Sequence, residues 1–140
     1  KTSHVLPAMI RKFHEAKENN HSCVNLWGTG SPKREFLHVN DLARAIIFSL
    51  ENKLNDHLYN VGTETDLTIK ALAELIQKCV GHTGEITWDE TKPDGTPKKL
   101  MDSSKLISKG WNYSVNIFDG VKETYKWFLK NINEIKEVKI

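Results

Sequence analysis

Four stretches of this chain repeat apolar residues at three- and four-residue intervals, and a short run rich in β-branched or aromatic residues separates each from the next. That alternation limits the fold more than any other feature, because helices and strands in turn, joined by short connections, call for an α/β architecture. In such folds the strands lie parallel and ligands gather in the loops beyond the strand ends. The first stripe is Val5, Leu6, Met9, Ile10 and Phe13, with Ser3 as N-cap and Pro7 in the first turn, ending near Asn19 and Asn20. The second is capped by Asn40, carries Asp41 in its first turn and turns Leu42, Ala43, Ile46, Ile47 and Leu50 inward before stopping near Asn52. The third starts at Asp66 or Thr68, buries Ile69, Leu72, Ala73, Ile76 and Val80, and closes on Gly81. A short helix capped by Ser103 or Ser104 ends at Gly110 and Trp111, and a last one over 118–132 faces inward with Val121, Tyr125, Phe128 and Leu129.

The predicted strands are Cys23–Trp27, 57–61 and 85–88. Three weak strands make a poor independent sheet, and a chain opening directly into an amphipathic helix reads as the later part of a longer one, with its main sheet upstream. Beyond two of the strands lie polar turns. Gly28-Thr29-Gly30-Ser31-Pro32 delivers Lys33 and Arg34, and Lys92-Pro93-Asp94-Gly95-Thr96-Pro97 delivers Lys98 and Lys99.

Charge narrows the choice of partner. Twenty Lys and Arg stand against 18 Asp and Glu, a net charge of +2, so there is no broad field to gather nucleic acid, and phosphate binding must be local. Cys23 and Cys79 show no ligand spacing for a metal and no disulfide framework; they read as reduced thiols of a cytoplasmic protein. No apolar run approaches the roughly 20 residues that span a bilayer, so no membrane partner is expected. A dinucleotide site needs a GxGxxG turn; Gly28-Thr29-Gly30 begins one, but Lys33 stands at its last glycine and Pro32 disrupts the helix start that would hold phosphate. No tyrosine has a lysine four residues later: Tyr59 meets Thr63, Tyr113 meets Ile117 and Tyr125 meets Leu129. The chain by itself is therefore expected neither to bind the cofactor nor to reduce a ketone.

Four segments carry a resemblance: Ser3-His4-Val5-Leu6-Pro7-Ala8-Met9-Ile10-Arg11-Lys12-Phe13-His14-Glu15-Ala16, Leu26-Trp27-Gly28-Thr29-Gly30, Arg34-Glu35-Phe36-Leu37-His38-Val39-Asn40-Asp41-Leu42-Ala43 and Lys92-Pro93-Asp94-Gly95-Thr96-Pro97-Lys98-Lys99-Leu100-Met101-Asp102. In order and spacing they resemble the GDP-L-fucose synthase family, extended short-chain dehydrogenases acting as GDP-4-keto-6-deoxy-mannose 3,5-epimerase-4-reductases. The resemblance implies that residues 1–140 are the C-terminal, substrate-binding part of a Rossmann-type enzyme, a small sheet with helices. It further implies an upstream dinucleotide-binding domain holding NADP, a GDP-sugar substrate and a homodimer. His4 matches the family's catalytic histidine, the proton donor. Trp27, Arg34 and Lys99 match positions around the sugar and diphosphate, and Lys12, also expected to bind substrate, stands where Arg is common.

The chemistry suits these residue types. A C4 ketone acidifies the hydrogens at C3 and C5, so inversion needs a base and an acid, and an imidazole near pKa 6.5 can serve. An Arg fork and a lysine suit diphosphate oxygens. Val5 and Met9, four residues apart on one helical face, line the pocket if that face meets the ligand. Each residue also has a plainer use: His4 as a helix-end residue, Val5, Met9 and Trp27 as core, Arg34 as a partner of Glu35 or Asp41, and Lys99 as a solvated charge. Rival functions are another nucleotide-sugar epimerase or dehydratase of the superfamily, and a non-catalytic nucleotide-sugar-binding module.

Overall fold

Local signals set most of the helix ends. The computed structural model describes residues 4–134. Helix α1 (Val5–Glu18) has His4 in extended conformation at its N-cap and ends where Asn20 turns left-handed, at φ 53°. The Ser3 cap expected from sequence lies outside the described residues. Strand β1 (Cys23–Trp27) follows, then β2 (Lys33–Glu35) and α2 (Val39–Glu51). The cap of α2 is His38, two residues before the expected Asn40; its ring nitrogen accepts the Asn40 N–H at 3.4 Å. Next come β3 (Asp66–Thr68) and α3 (Ile69–Val80), which Thr68 starts by accepting the Ala71 N–H at 3.0 Å and Gly81 ends at φ 77°. Strands β4 (Glu85–Asp89) and β5 (Lys98–Lys99) lead to α4 (Ser104–Ile107) and α5 (Ile117–Asn131), the last capped by Asn116 onto the Asp119 N–H.

Two small sheets form in place of the expected single one. Strands β1 and β4 pair in parallel, from Cys23 opposite Glu85 to Trp27 opposite Asp89. In the other sheet, ordered β3-β2-β5, β2 runs antiparallel to β3 and parallel to β5. Residues 57–61, expected as a strand, pair with no described strand, and Leu58 stands exposed. A strand needs a neighbouring strand to take its main-chain hydrogen bonds, and the described residues give this segment only side-chain bonds, Lys105 to the Leu58 carbonyl and Asn60 to the Asp102 carbonyl.

The core lies between α1, α3, α5 and β1, where Ile10, Phe13, Leu72, Ile76 and Val121 are almost wholly buried. His14 joins it, its Nδ1 3.1 Å from the Tyr125 hydroxyl and its ring edge-on to Phe128. A smaller cluster gathers Ala45, Leu106 and Trp111.

The expected inner face of α2 is a correction. Leu42, Ala43, Ile46, Ile47 and Leu50 are exposed, and the buried residues are Asp41 and Ala45. Asp41 ties the helix to the segment before α5, accepting the Ser114 N–H at 3.0 Å, the Val115 N–H at 2.9 Å and Arg44 at 2.8 Å. Leu129 is exposed too, and so is Cys23, which points away from the apolar interior. Among the described residues no helix is long and apolar enough to cross a membrane, and no group of three His, Cys, Asp or Glu is placed to hold a metal.

Candidate functional site

The site grows from the ends of the paired strands. Alternation along β1 turns Val24 and Leu26 inward and Cys23, Asn25 and Trp27 outward, so Trp27 is 67% exposed at the C-terminal end of the strand. Two glycines then reverse the chain at φ 80° (Gly28) and 74° (Gly30), where a side chain is strained. A Cβ at Gly30 would also meet the Trp88 ring at 2.6 Å.

One carboxylate locks this turn to the next loop. Asp94 accepts the Thr29 N–H at 2.9 Å and the Thr29 hydroxyl at 2.6 Å. These bonds, the hydroxyl's first, hold the Asp94 carboxyl below its usual pKa range. The 92–97 turn is thereby held beside Trp27. The Lys92 and Lys12 ammonium groups each lie 5.9 Å from that ring's centroid, and Lys12 also donates to the Asn25 carbonyl at 3.2 Å.

Short ladders deliver the remaining cations. In the β2–β5 register Arg34 pairs with Lys99 and Lys33 with Lys98, so each pair shares a face of the sheet. Asp66 takes the Lys33 and Lys98 face, at 3.8 and 3.2 Å. Arg34 donates through one Nη to the carbonyls of Lys33 and Thr96, both at 2.6 Å, and bonds to neither Glu35 nor Asp41.

A cleft of about 200 Å³ is walled by Val5, Trp27, Gly30, Pro32, Arg34, Ile69, Pro93, Asp94 and Gly95. Three of the residues singled out from sequence thus meet: Val5, Trp27 and Arg34. His4 is exposed at the N-cap of α1, one residue before this wall. Lys12 reaches the Trp27 ring from α1, whereas Lys99 lies opposite Arg34 but outside the wall. Met9 is only 5% exposed and belongs to the core. Asp94 and Lys92 were not singled out, although both sit in the Lys-Pro-Asp-Gly-Thr-Pro turn, whose Asp-Gly pair marks a loop with a carboxylate free to cap its neighbour. A ring face beside a pinned guanidinium and mobile ammonium groups suits a sugar or base joined to a diphosphate.

Known proteins share this arrangement of elements. Residues 1–62 match the NAD dependent epimerase/dehydratase family. Over 130 residues the chain is 55% identical to GDP-L-fucose synthase 1 of Arabidopsis thaliana, covering 93% of this chain and 40% of that protein. Over 139 residues it is 45% identical to GDP-L-fucose synthase of Escherichia coli, covering 92% and 43%. The crystal structure of a GDP-L-fucose synthetase from Naegleria fowleri superposes with a TM-score of 0.89 at 26% identity, covering 97% of this chain and 42% of that one. A second structure of it, bound to NADP, gives 0.82 at 27% identity, covering 96% and 43%. The chain spans about two fifths of the length of these relatives. Its first 62 residues are thus similar to the NAD dependent epimerase/dehydratase family, and over nearly its whole length its similarity runs to GDP-L-fucose synthases.

Proposed function

We propose that this chain is the substrate-binding portion of a GDP-L-fucose synthase, which converts GDP-4-keto-6-deoxy-D-mannose to GDP-L-fucose by epimerisation at C3 and C5 and NADPH-dependent reduction at C4. The observation that carries this reading is the meeting of Val5, Trp27 and Arg34 in one cleft beyond the ends of parallel strands, with His4 one residue from its wall. Arg34 and the lysines around it bind the diphosphate, which anchors the sugar with its keto carbon near the start of α1. A base outside this chain takes the proton beside the carbonyl, giving an enolate, and the His4 imidazolium delivers a different proton to the opposite face of the carbon, which inverts it.

The residues present do not fit the dinucleotide. Pro32 and Lys33 interrupt the glycine pattern, and the turn runs into a three-residue strand where a phosphate-binding helix N-terminus would be needed. We assign NADP to a separate dinucleotide-binding portion, and the exposed apolar face of α2 supports such a portion as its cover. We place the whole protein in the cytoplasm on the reading of Cys23 and Cys79 as reduced thiols and, in keeping with the family resemblance, as a homodimer.

The test is His4→Gln in the full-length protein. Binding of the GDP-sugar is expected to persist while turnover and deuterium uptake from solvent at C3 and C5 fall at least a hundredfold, the scale of a lost general acid. Uptake that stays at the wild-type rate, followed by NMR, removes His4 from the chemistry.

A further inference from the structure

We propose that Glu35 is a positioning residue that fixes the spacing of Arg34 and Lys99 for a diphosphate, an inference that rests on the function just proposed. Strand β5 is two residues long, too short for its own ladder to hold Lys99 opposite Arg34. The side chain next to Arg34 supplies what the ladder lacks. Glu35 Oε1 accepts the N–H groups of Thr63 at 2.6 Å and Glu64 at 2.8 Å, and Oε2 accepts the N–H of Met101, two residues past Lys99, at 3.0 Å. One carboxylate thus draws three main-chain donors from two segments distant in sequence onto the end of β2.

The surroundings are built around that group. A Cβ on Gly62 would meet Glu35 Oε1 at 2.5 Å, so the chain passes close beneath it. Glu64, left-handed at φ 55°, turns its own carboxylate to the Ser103 N–H at 3.0 Å and grips the same segment two residues further on. Among the described residues no lysine or arginine pairs with Glu35, so its charge is met by main-chain N–H groups and the Thr63 hydroxyl, and neither Lys99 nor the second Nη of Arg34 is spent on a carboxylate. Cations already held at the right spacing lose less freedom when they bind, which is how such an anchor raises affinity without touching the ligand.

The experiment uses the full-length protein, with GDP and guanosine as probes in titration calorimetry and amide hydrogen exchange as a second readout. Glu35→Gln keeps the size but sets an NH₂ against the main-chain donors. It is expected to weaken GDP about tenfold, the scale of one charge-assisted hydrogen bond, to leave guanosine unchanged and to speed exchange at Met101. Glu35→Asp is expected to restore part of the GDP affinity. Unchanged GDP affinity overturns the proposal, and so does an equal loss for GDP and guanosine, which marks a purely structural role. Should Glu35→Gln not fold, Glu64→Gln takes its place, with a loss of about threefold confined to GDP; no loss overturns the proposal. A wild-type protein that binds no GDP removes the functional reading and this inference together, whereas a wild type weakened by Arg34→Ala but not by Glu35→Gln removes this inference alone.

Discussion

Helices α2 and α3 are nearly equal in length and carry apolar stripes of the same spacing, yet they end in opposite surroundings. In α3, Leu72, Ala73 and Ile76 are fully buried between α1 and α5; in α2, Ile46 is 56% exposed and Leu50 82%. An amphipathic stripe records the contact a helix is made for, and that contact need not lie within the same stretch of chain. A row of exposed leucines and isoleucines is uncommon on a finished surface and marks an interface. The neighbouring segment 57–61, strand-like in pattern but paired with no described strand, has the same character. Together they form the side on which we place the dinucleotide-binding portion.

The largest effect should come from substituting the two helices alike. Leu72→Ala is expected to cost about 3–5 kcal/mol in urea unfolding, since nothing nearby can fill the space. Leu50→Ala in the chain alone should change stability by less than about 0.5 kcal/mol, as at any surface position. In the full-length protein Ile46→Ala should cost about 2 kcal/mol, because the face is then covered. Equal costs for Leu50→Ala and Leu72→Ala in the chain alone would break the contrast.

Next in size is the tether that Asp41 gives α2. Burial alone would raise the Asp41 pKa, but the N–H groups of Val115 and Ser114, the Ser114 hydroxyl and Arg44 together hold it below the usual carboxylate value of 3.8. Asp41→Ala leaves those donors without their acceptor and is expected to cost about 3 kcal/mol. A lowered folded pKa stabilises fully above the unfolded value and is lost as pH falls through the folded one. Unfolding curves from pH 5 downward should therefore show wild type losing its advantage over Asp41→Asn as the pH drops below about 4. A pH-independent gap would mean that the Asp41 charge is not what holds α2.

Sequence and structure agree where short-range physics decides. Thr68 and Gly81 bound α3 as a hydroxyl cap and a left-handed stop must, and the alternation in β1 puts Trp27 outside. Strands β2, β3 and β5 leave no such trace, being two or three residues long and mostly polar; only their partners define them. The site was legible to the same degree. Val5 and Met9 lie on one stripe of α1, yet Val5 walls the cleft while Met9 is buried in the core. Periodicity says which side faces in and not how far along the helix the interior extends.

Arg34 and Lys92 offer the finest comparison, between a cation fixed by the fold and one held only by a loop. Arg34 is half-buried with one Nη pinned on two carbonyls, so Arg34→Ala is expected to weaken GDP binding by about 1.5–3 kcal/mol. Lys92 is exposed and meets Trp27 at 5.9 Å, an interaction of about 0.5–1 kcal/mol at such a site, so Lys92→Ala should weaken GDP by fivefold at most. Salt separates the two further. Screening acts over about 10 Å at 0.1 M and is strongest on exposed charges, so the Lys92→Ala deficit should fade as salt rises while that of Arg34→Ala persists. If both deficits fade together, the guanidinium is as solvated as the ammonium, and the cleft is less ordered than its hydrogen bonds require.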